Sequence, residues 1–249
     1  MKIMEPIITK EELTKLYWQR QLTQKEIANQ LGVWDAEISN WMRYYKIPRR
    51  SIAERHALKV DFSDQRTLSY ILGVLLGDGS ILYNKKWRTH QIVMNTTSKL
   101  FGESFKEALK KIALSPFLWR VNRKQEKKQW SPVYRVGASS WKIVNWYQGL
   151  TLEEISIFVC KSKTLMCKFL KGFYESEGCY YKKNKTCSMS NSNEKNINLV
   201  AQLLGKLNIH YGIYSHKRSE NRKTEFQIYM NTKESQKFLS AIKPCIKNP

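Results

Sequence analysis

The sequence predicts an α+β fold, a pseudo-twofold pair of αββαββα units preceded by a small all-α domain. A repeat predicts the pairing: ILGVLLGDGS at 71–80 and LKGFYESEGC at 170–179 superimpose at an offset of 170 − 71 = 99 residues, the mark of a duplicated unit. The order of periodicities predicts the unit itself. After each copy, strand-like alternation gives way to an amphipathic helix, then to a second alternating hairpin and a closing helix. The all-α part follows from residues 10–45, which carry helix caps and helical spacing.

Three short helices are expected within 10–45. Thr23 and Glu26 form a capping box, the run Ile27, Ala28, Leu31 follows, and Gly32 stops it. A third helix begins near Asp35 with Ile38, Trp41 and Met42 inward. Ala28 leaves room for a crossing helix, Gly32 allows the tight turn and Ile38 seals the pair, a spacing that resembles the helix-turn-helix motif. Its outward residues would be Trp34, Asp35, Glu37, Asn40 and Arg43, with Arg49 and Arg50 placed for phosphate contact. A purely structural three-helix cap is the alternative. The module spans 1–50 and a charged linker 51–66; the repeat halves span 67–165 and 166–249.

In the first half the strand-like stretch is 80–95, the helix 99–112, the basic hairpin 117–137 and the last helix 139–147. In the second they are 179–191, 195–209, 211–230 and 233–242. At the head of each half stands an apolar helix. Gly73 and Gly77 share one face of the first, Gly172 and Ser176 one face of the second, so the two could pack almost backbone to backbone. Asp78 and Glu177 would then meet at the helix ends. A carboxylate at a helix C-terminus faces the negative end of the dipole and needs a cation, for which Mg²⁺ is the natural choice. Two such acids suit the cutting of two phosphodiester bonds, one per strand of a duplex. Glu175 stands two residues, about 200°, from Glu177 and points elsewhere.

Lys and Arg number 43 against 21 Asp and Glu, a formal charge of +22 spread along all 249 residues. Folded surfaces of that sign face a polyanion, and double-stranded DNA is the first expectation. No apolar run reaches the ~18 residues of a membrane span. The N-terminus is too polar for a signal peptide, so a soluble, unsecreted protein is expected, cytoplasmic and nucleoid-associated or organellar. Five cysteines without a Cys-x-x-Cys pair, and four scattered histidines, argue against zinc and for reduced thiols. Gly212-Ile213-Tyr214 spells half of a GIY-YIG nuclease motif, but the other half is absent.

The paired segments resemble the two signature motifs of the LAGLIDADG homing endonucleases in their single-chain form, over roughly 68–249. The resemblance implies a monomeric site-specific DNA endonuclease that cleaves with Mg²⁺, or Mn²⁺ in its place. Asp78 and Glu177 would be metal ligands, helped by the backbone carbonyls of Gly77 and Ser176. The family usually sets a basic or amide residue near each acid. Here those positions hold Thr96 or Thr97 and Tyr180, leaving Lys182 as the nearest catalytic lysine. Strands of both halves would form a DNA-binding β-saddle in the major groove. Candidate readers in the first half are Tyr83, Asn84, Lys86, Arg88, His90, Gln91, Arg120, Asn122, Arg123 and Arg135. In the second they are Tyr181, Lys183, Lys185, Ser188, Ser190, Tyr214, His216, Arg218, Arg222, Gln227 and Tyr229. Two other roles occur on this scaffold, a transcription regulator with an attached helix-turn-helix and a maturase that binds intron RNA. Regulators of this kind tend to lose the acids, and this chain keeps both.

Overall fold

The structure, a computed structural model, describes residues 6–20, 22–50, 60–84, 89–121, 132–217 and 224–248. The chain forms two compact units, Met1–Leu58 and Lys59–Pro249.

The first unit is helical. Helix α1 (Lys10–Thr14) runs on into a π-helical turn over Lys15–Gln19. Helix α2 (Gln24–Leu31) starts at a complete capping box, Thr23 N–H donating to Glu26 Oε2 at 2.7 Å and Glu26 N–H to Thr23 Oγ1 at 3.2 Å. Gly32 takes φ +68, a left-handed conformation that glycine enters without Cβ strain, and α3 (Asp35–Tyr44) follows. Leu13, Tyr17, Ile27, Ala28, Ile38, Trp41, Met42 and Ile47 fill the interior. Arg50 belongs to that interior, which corrects its expected role on phosphate. It is 4% exposed, its guanidinium lies 3.8 Å from the centre of the Tyr17 ring, and Nη1 donates to the Leu22 carbonyl at 3.0 Å.

The second unit holds the duplicated fold. Its first half runs α4 (Gln65–Leu76), β1 (Gly79–Asn84), β2 (Thr89–Thr96), α5 (Lys99–Lys111), β3 (Phe117–Val121), β4 (Val133–Ser139), α6 (Trp141–Gln148) and α7 (Leu152–Val159). The second runs α8 (Lys163–Glu177), β5 (Gly178–Tyr181), β6 (Thr186–Asn191), α9 (Glu194–Lys206), β7 (Gly212–His216), β8 (Glu225–Met230) and α10 (Thr232–Ile242). Helix α7 is an addition to the αββαββα expectation, started by a Thr151–Glu154 capping box. Each half makes a four-stranded antiparallel sheet, ordered β1-β2-β4-β3 and β5-β6-β8-β7.

One face of each sheet is packed by helices. In the first half Ile92, Met94, Val136 and Ala138 join the core formed with α4, α5 and α6. In the second, Cys187, Met189, Ile228 and Met230 do so with α8, α9 and α10. Strand pleating sends alternate residues to the opposite face, which the helices leave open. All five cysteines are free thiols. No described helix is long and apolar enough to cross a membrane.

Candidate active site

The motif helices α4 and α8 lie against each other through glycine. A Cβ built on Gly73 would stand 2.1 Å from the Phe169 carbonyl oxygen, and one on Gly172 would stand 2.3 Å from that of Tyr70. Neither position admits a side chain. At the lower end Gly77 is pressed on Ser176, whose Cβ would be 2.4 Å from a Cβ at 77, and on Glu177, whose Cγ would be 3.1 Å away. The four residues singled out by spacing therefore form the seam. Tyr70 of α4 also donates its hydroxyl hydrogen to the buried Glu175 of α8, at 2.7 Å. Glu175 is turned into the seam and away from Glu177, as helical spacing requires.

The motif helices do not end in left-handed glycines. Gly178 is extended at φ −79, ψ 162, and neither it nor Gly79 has a left-handed backbone. Both strands start at once, β1 at Gly79 and β5 at Gly178. Glycine is needed there for room: a Cβ on Gly79 would lie 2.4 Å from Leu75 Cα, and one on Gly178 would lie 2.2 Å from Tyr174 Cδ2. Each acid is thus held at a corner between helix and strand.

The Asp78 charge acts on Glu177. Loss of water pushes the Glu177 carboxyl up to about 7, with the Asp78 charge as the next cause; Asn191 and Lys247 work against the rise. Asn191 Nδ2 donates to Glu177 Oε1 at 2.6 Å. Asp78 is raised more modestly, by desolvation, with Lys247 opposing. Burial in turn lowers Lys247, and the two acids counter that. Its Nζ donates to the Ser176 carbonyl at 2.6 Å. The Leu76 carbonyl at the end of α4 accepts from Asn196 Nδ2 at 3.2 Å. Both helix ends thus have a donor for a carbonyl that the helix leaves free.

Lys182 does not take the expected place beside the acids. It lies in the exposed turn after β5, and the lysine that acts on both carboxylates is Lys247. Asn191 and Lys247 were not singled out by sequence. Asn191 had a signal: β1–β2 pairing sets Gly79 against Met94 and β5–β6 sets Gly178 against Met189, so Asn191 is the counterpart of Thr96. Lys247 lies beyond the last helix of the second half and had none.

Two carboxylates and a carbonyl are hard oxygen donors of the kind that suits Mg²⁺ or Mn²⁺. Among the described residues no cluster of three or more His, Cys, Asp or Glu is placed to hold a metal ion. The residues fit an ion that keeps waters and takes further ligands from a phosphate.

The sheet register sorts the candidate reading residues. Ile81 pairs with Ile92 and Tyr83 with His90, which puts Tyr83 and His90 on the helix-packed face. Arg120 pairs with Tyr134 two places from Leu118 and Val136 and falls on that face too. These three are corrections, since a residue on that face does not look onto the saddle. Gln91 and Arg135 are on the open face, where Arg135 Nε donates to Asn95 Oδ1 at 3.1 Å. Trp119 joins them, stacked on Phe117 with ring centres 4.1 Å apart, and was not singled out by sequence.

In the second half Tyr181, Ser190, Tyr214, His216, Gln227 and Tyr229 share the open face. Ser188 shares it by register but is 2% exposed, within reach of the Tyr181 hydroxyl, so it lies beneath the surface. Lys183 and Lys185 occupy the exposed turn. In the helical unit Arg43 and Arg49 are exposed and Asn40 is half-buried. The Asn84 side chain, Lys86, Arg88, Asn122, Arg123, Arg218 and Arg222 lie outside the described residues.

Residues 164–243 match the model of the LAGLIDADG-like domain family. An uncharacterized protein of Methanocaldococcus jannaschii, MJ0314, is 33% identical over 175 residues, 68% of this chain and 65% of its own length. A second from that organism, MJ0398, is 32% identical over 159 residues, 64% of this chain and 55% of its own. The chain thus spans less than two thirds of either relative. Among solved structures, I-DmoI in complex with DNA and Mn is 19% identical, covers 72% of this chain and 96% of its own, and has a TM-score of 0.54. The homing endonuclease I-WcaI bound to its DNA recognition sequence is 15% identical, covers 80% and 90%, and has a TM-score of 0.57. WhiA from Thermotoga maritima is 19% identical, covers 78% and 62%, and has a TM-score of 0.53. The chain therefore carries a LAGLIDADG-like domain and has the fold of the LAGLIDADG homing endonucleases.

Proposed function

We propose that this protein is a site-specific double-strand DNA endonuclease that hydrolyses phosphodiester bonds with a divalent metal, Mg²⁺ or Mn²⁺. The observation that carries the reading is the joint delivery of Asp78 and Glu177 by two glycine-packed helices, each at the first corner of a sheet with an open polar and aromatic face. I-DmoI, crystallised with DNA and Mn, supports duplex DNA as the partner and a metal as the cofactor.

Asp78, Glu177 and the Ser176 carbonyl would hold the metal, with the Gly77 carbonyl as a further donor. Bound there, it supplies Lewis-acid chemistry: a more acidic water and stabilised charge on the leaving oxygen. The protein's residues fix where that happens. Asn191 orients one Glu177 oxygen, Oε1. Glycines 79 and 178 hold the two carboxylates at rigid corners. Gln91, Arg135, Trp119, Tyr214 and Gln227 on the open faces would seat the duplex and read base edges. The acids differ by one methylene and only Glu177 has the Asn191 bond, so the two strands would be cut at unequal rates.

The helical unit, with its capped α2, tight turn at Gly32 and exposed Arg43 and Arg49, supports a second DNA contact by a helix-turn-helix. A second reading is a DNA-binding regulator, for which the likeness to WhiA speaks only at the level of fold; retention of both acids favours the nuclease. Incubating the protein with a randomised duplex library and Mg²⁺, then sequencing the ends, separates the two. A nuclease yields a shared motif at cut ends that vanishes with chelator, whereas a regulator enriches bound duplexes that stay whole.

A further inference from the structure

The chain after α10 returns to the acid pair. Lys243 turns it with φ +47, and its carbonyl accepts from Lys171 Nζ at 2.9 Å. Cys245 N–H donates to Glu175 Oε1 at 2.6 Å, and the Lys247 carbonyl accepts from the Tyr174 hydroxyl at 2.7 Å. All three anchors belong to α8, the helix that ends in Glu177. The strap therefore has a fixed position along that helix, which can hold Lys247 at φ +57, a conformation that disfavours a residue with a Cβ. Its outcome is the ammonium 2.6 Å from the Ser176 carbonyl, within electrostatic reach of Asp78 and Glu177.

We propose that Lys247 is the resident counter-cation of the acid pair: without metal its ammonium answers the charge of Asp78 and Glu177, and a divalent ion binding there competes with it. The inference rests on the metal-dependent reading of the site. The Ser176 carbonyl and both carboxylates are the oxygens that reading gives to the metal, and they also act on Lys247, the carbonyl through a hydrogen bond and the carboxylates through their charge. Two cations sharing those oxygens repel each other in a partly desolvated site, so one weakens the other. A lysine bonded to a terminal helix carbonyl also serves as a plain C-cap. Only a counter-cation makes its removal improve metal binding.

Mn²⁺ titrated into the full-length protein without DNA tests this, with free Mn²⁺ followed by electron paramagnetic resonance and melting recorded with and without the ion. Lys247→Met removes the charge and the donor; Lys247→Gln removes the charge and keeps a donor for Ser176, which guards against simple loss of fold. Both variants should bind Mn²⁺ about tenfold tighter than wild type or better, and Mn²⁺ should raise their Tm further than it raises that of wild type. Unchanged or weaker Mn²⁺ binding in both variants, with wild-type binding present, overturns the proposal and leaves the metal site standing. No uptake by wild type or either variant overturns both.

Discussion

Gly73 and Gly172 are counterparts across the seam: Gly73 is pressed on the backbone of Phe169 and Phe173, and Gly172 on that of Tyr70 and Val74. These partners obey the sequence offset, since 169 − 70 and 173 − 74 both equal 99. The repeat in the sequence is thus the twofold relation of the two helices. Alanine normally improves a helix over glycine by about 0.5–1 kcal/mol. At the seam the sign should reverse. Gly73→Ala and Gly172→Ala should each cost about 1–3 kcal/mol or more by overpacking, while Gly205→Ala, where nothing lies near the added methyl, should stabilise. Urea unfolding of the three variants measures this.

The seam also carries a buried polar bond. Glu175 is 1% exposed and takes hydrogen bonds from Tyr70 and from the Cys245 backbone, with Lys171 at 3.8 Å. Tyr70→Phe removes one donor from a carboxylate that water does not reach. We expect a loss of about 1.5–3 kcal/mol in unfolding free energy, with Lys171→Met additive only in part because both groups serve one acid.

Glu177 makes metal-free stability depend on pH. Its folded value of about 7 lies above the ordinary 4.5, so between these pH values the folded protein holds a proton that the unfolded chain has released. The contribution is present below about pH 4.5 and is lost as pH rises through about 7. Tm measured in chelator should include this downward component over that range. Glu177→Gln should flatten the slope and raise Tm most at pH 8.

Much of this was legible in the sequence because each half of the repeat serves as a control for the other. The two motif helices, their glycine faces and the acids at their ends all follow from one offset. Other features were not. Residues Ile92, Val93 and Met94 are all buried, so β2 is apolar on both faces and its pleat has no readable phase. That is why Tyr83 and His90 went to the wrong face; Arg120 did so on β3, where the successive apolar residues Phe117, Leu118 and Trp119 leave no readable alternation either. The Thr151–Glu154 box marking α7 was present but lay in the first half beyond its expected last helix, with no counterpart in the second. Lys247 reaches Ser176 across the fold, 71 residues away in sequence, and no periodicity signals such a contact.

Binding should be strongly electrostatic. A duplex seated on both open faces neutralises about 6–10 phosphates, so affinity should fall about 10³- to 10⁵-fold between 50 and 200 mM salt. Fluorescence anisotropy across that range gives the slope. A nearly flat response would remove the sheets as the duplex surface.

The most direct measurement of the account is cleavage and binding in the same two variants, Asp78→Asn and Glu177→Gln, on a target recovered from the duplex library. Each keeps the sheet faces and loses one anionic ligand, so double-strand cleavage should disappear while affinity for the duplex holds or tightens. Cleavage that survives in both variants, or duplex binding that is lost in both, contradicts the assignment of these acids to the chemistry.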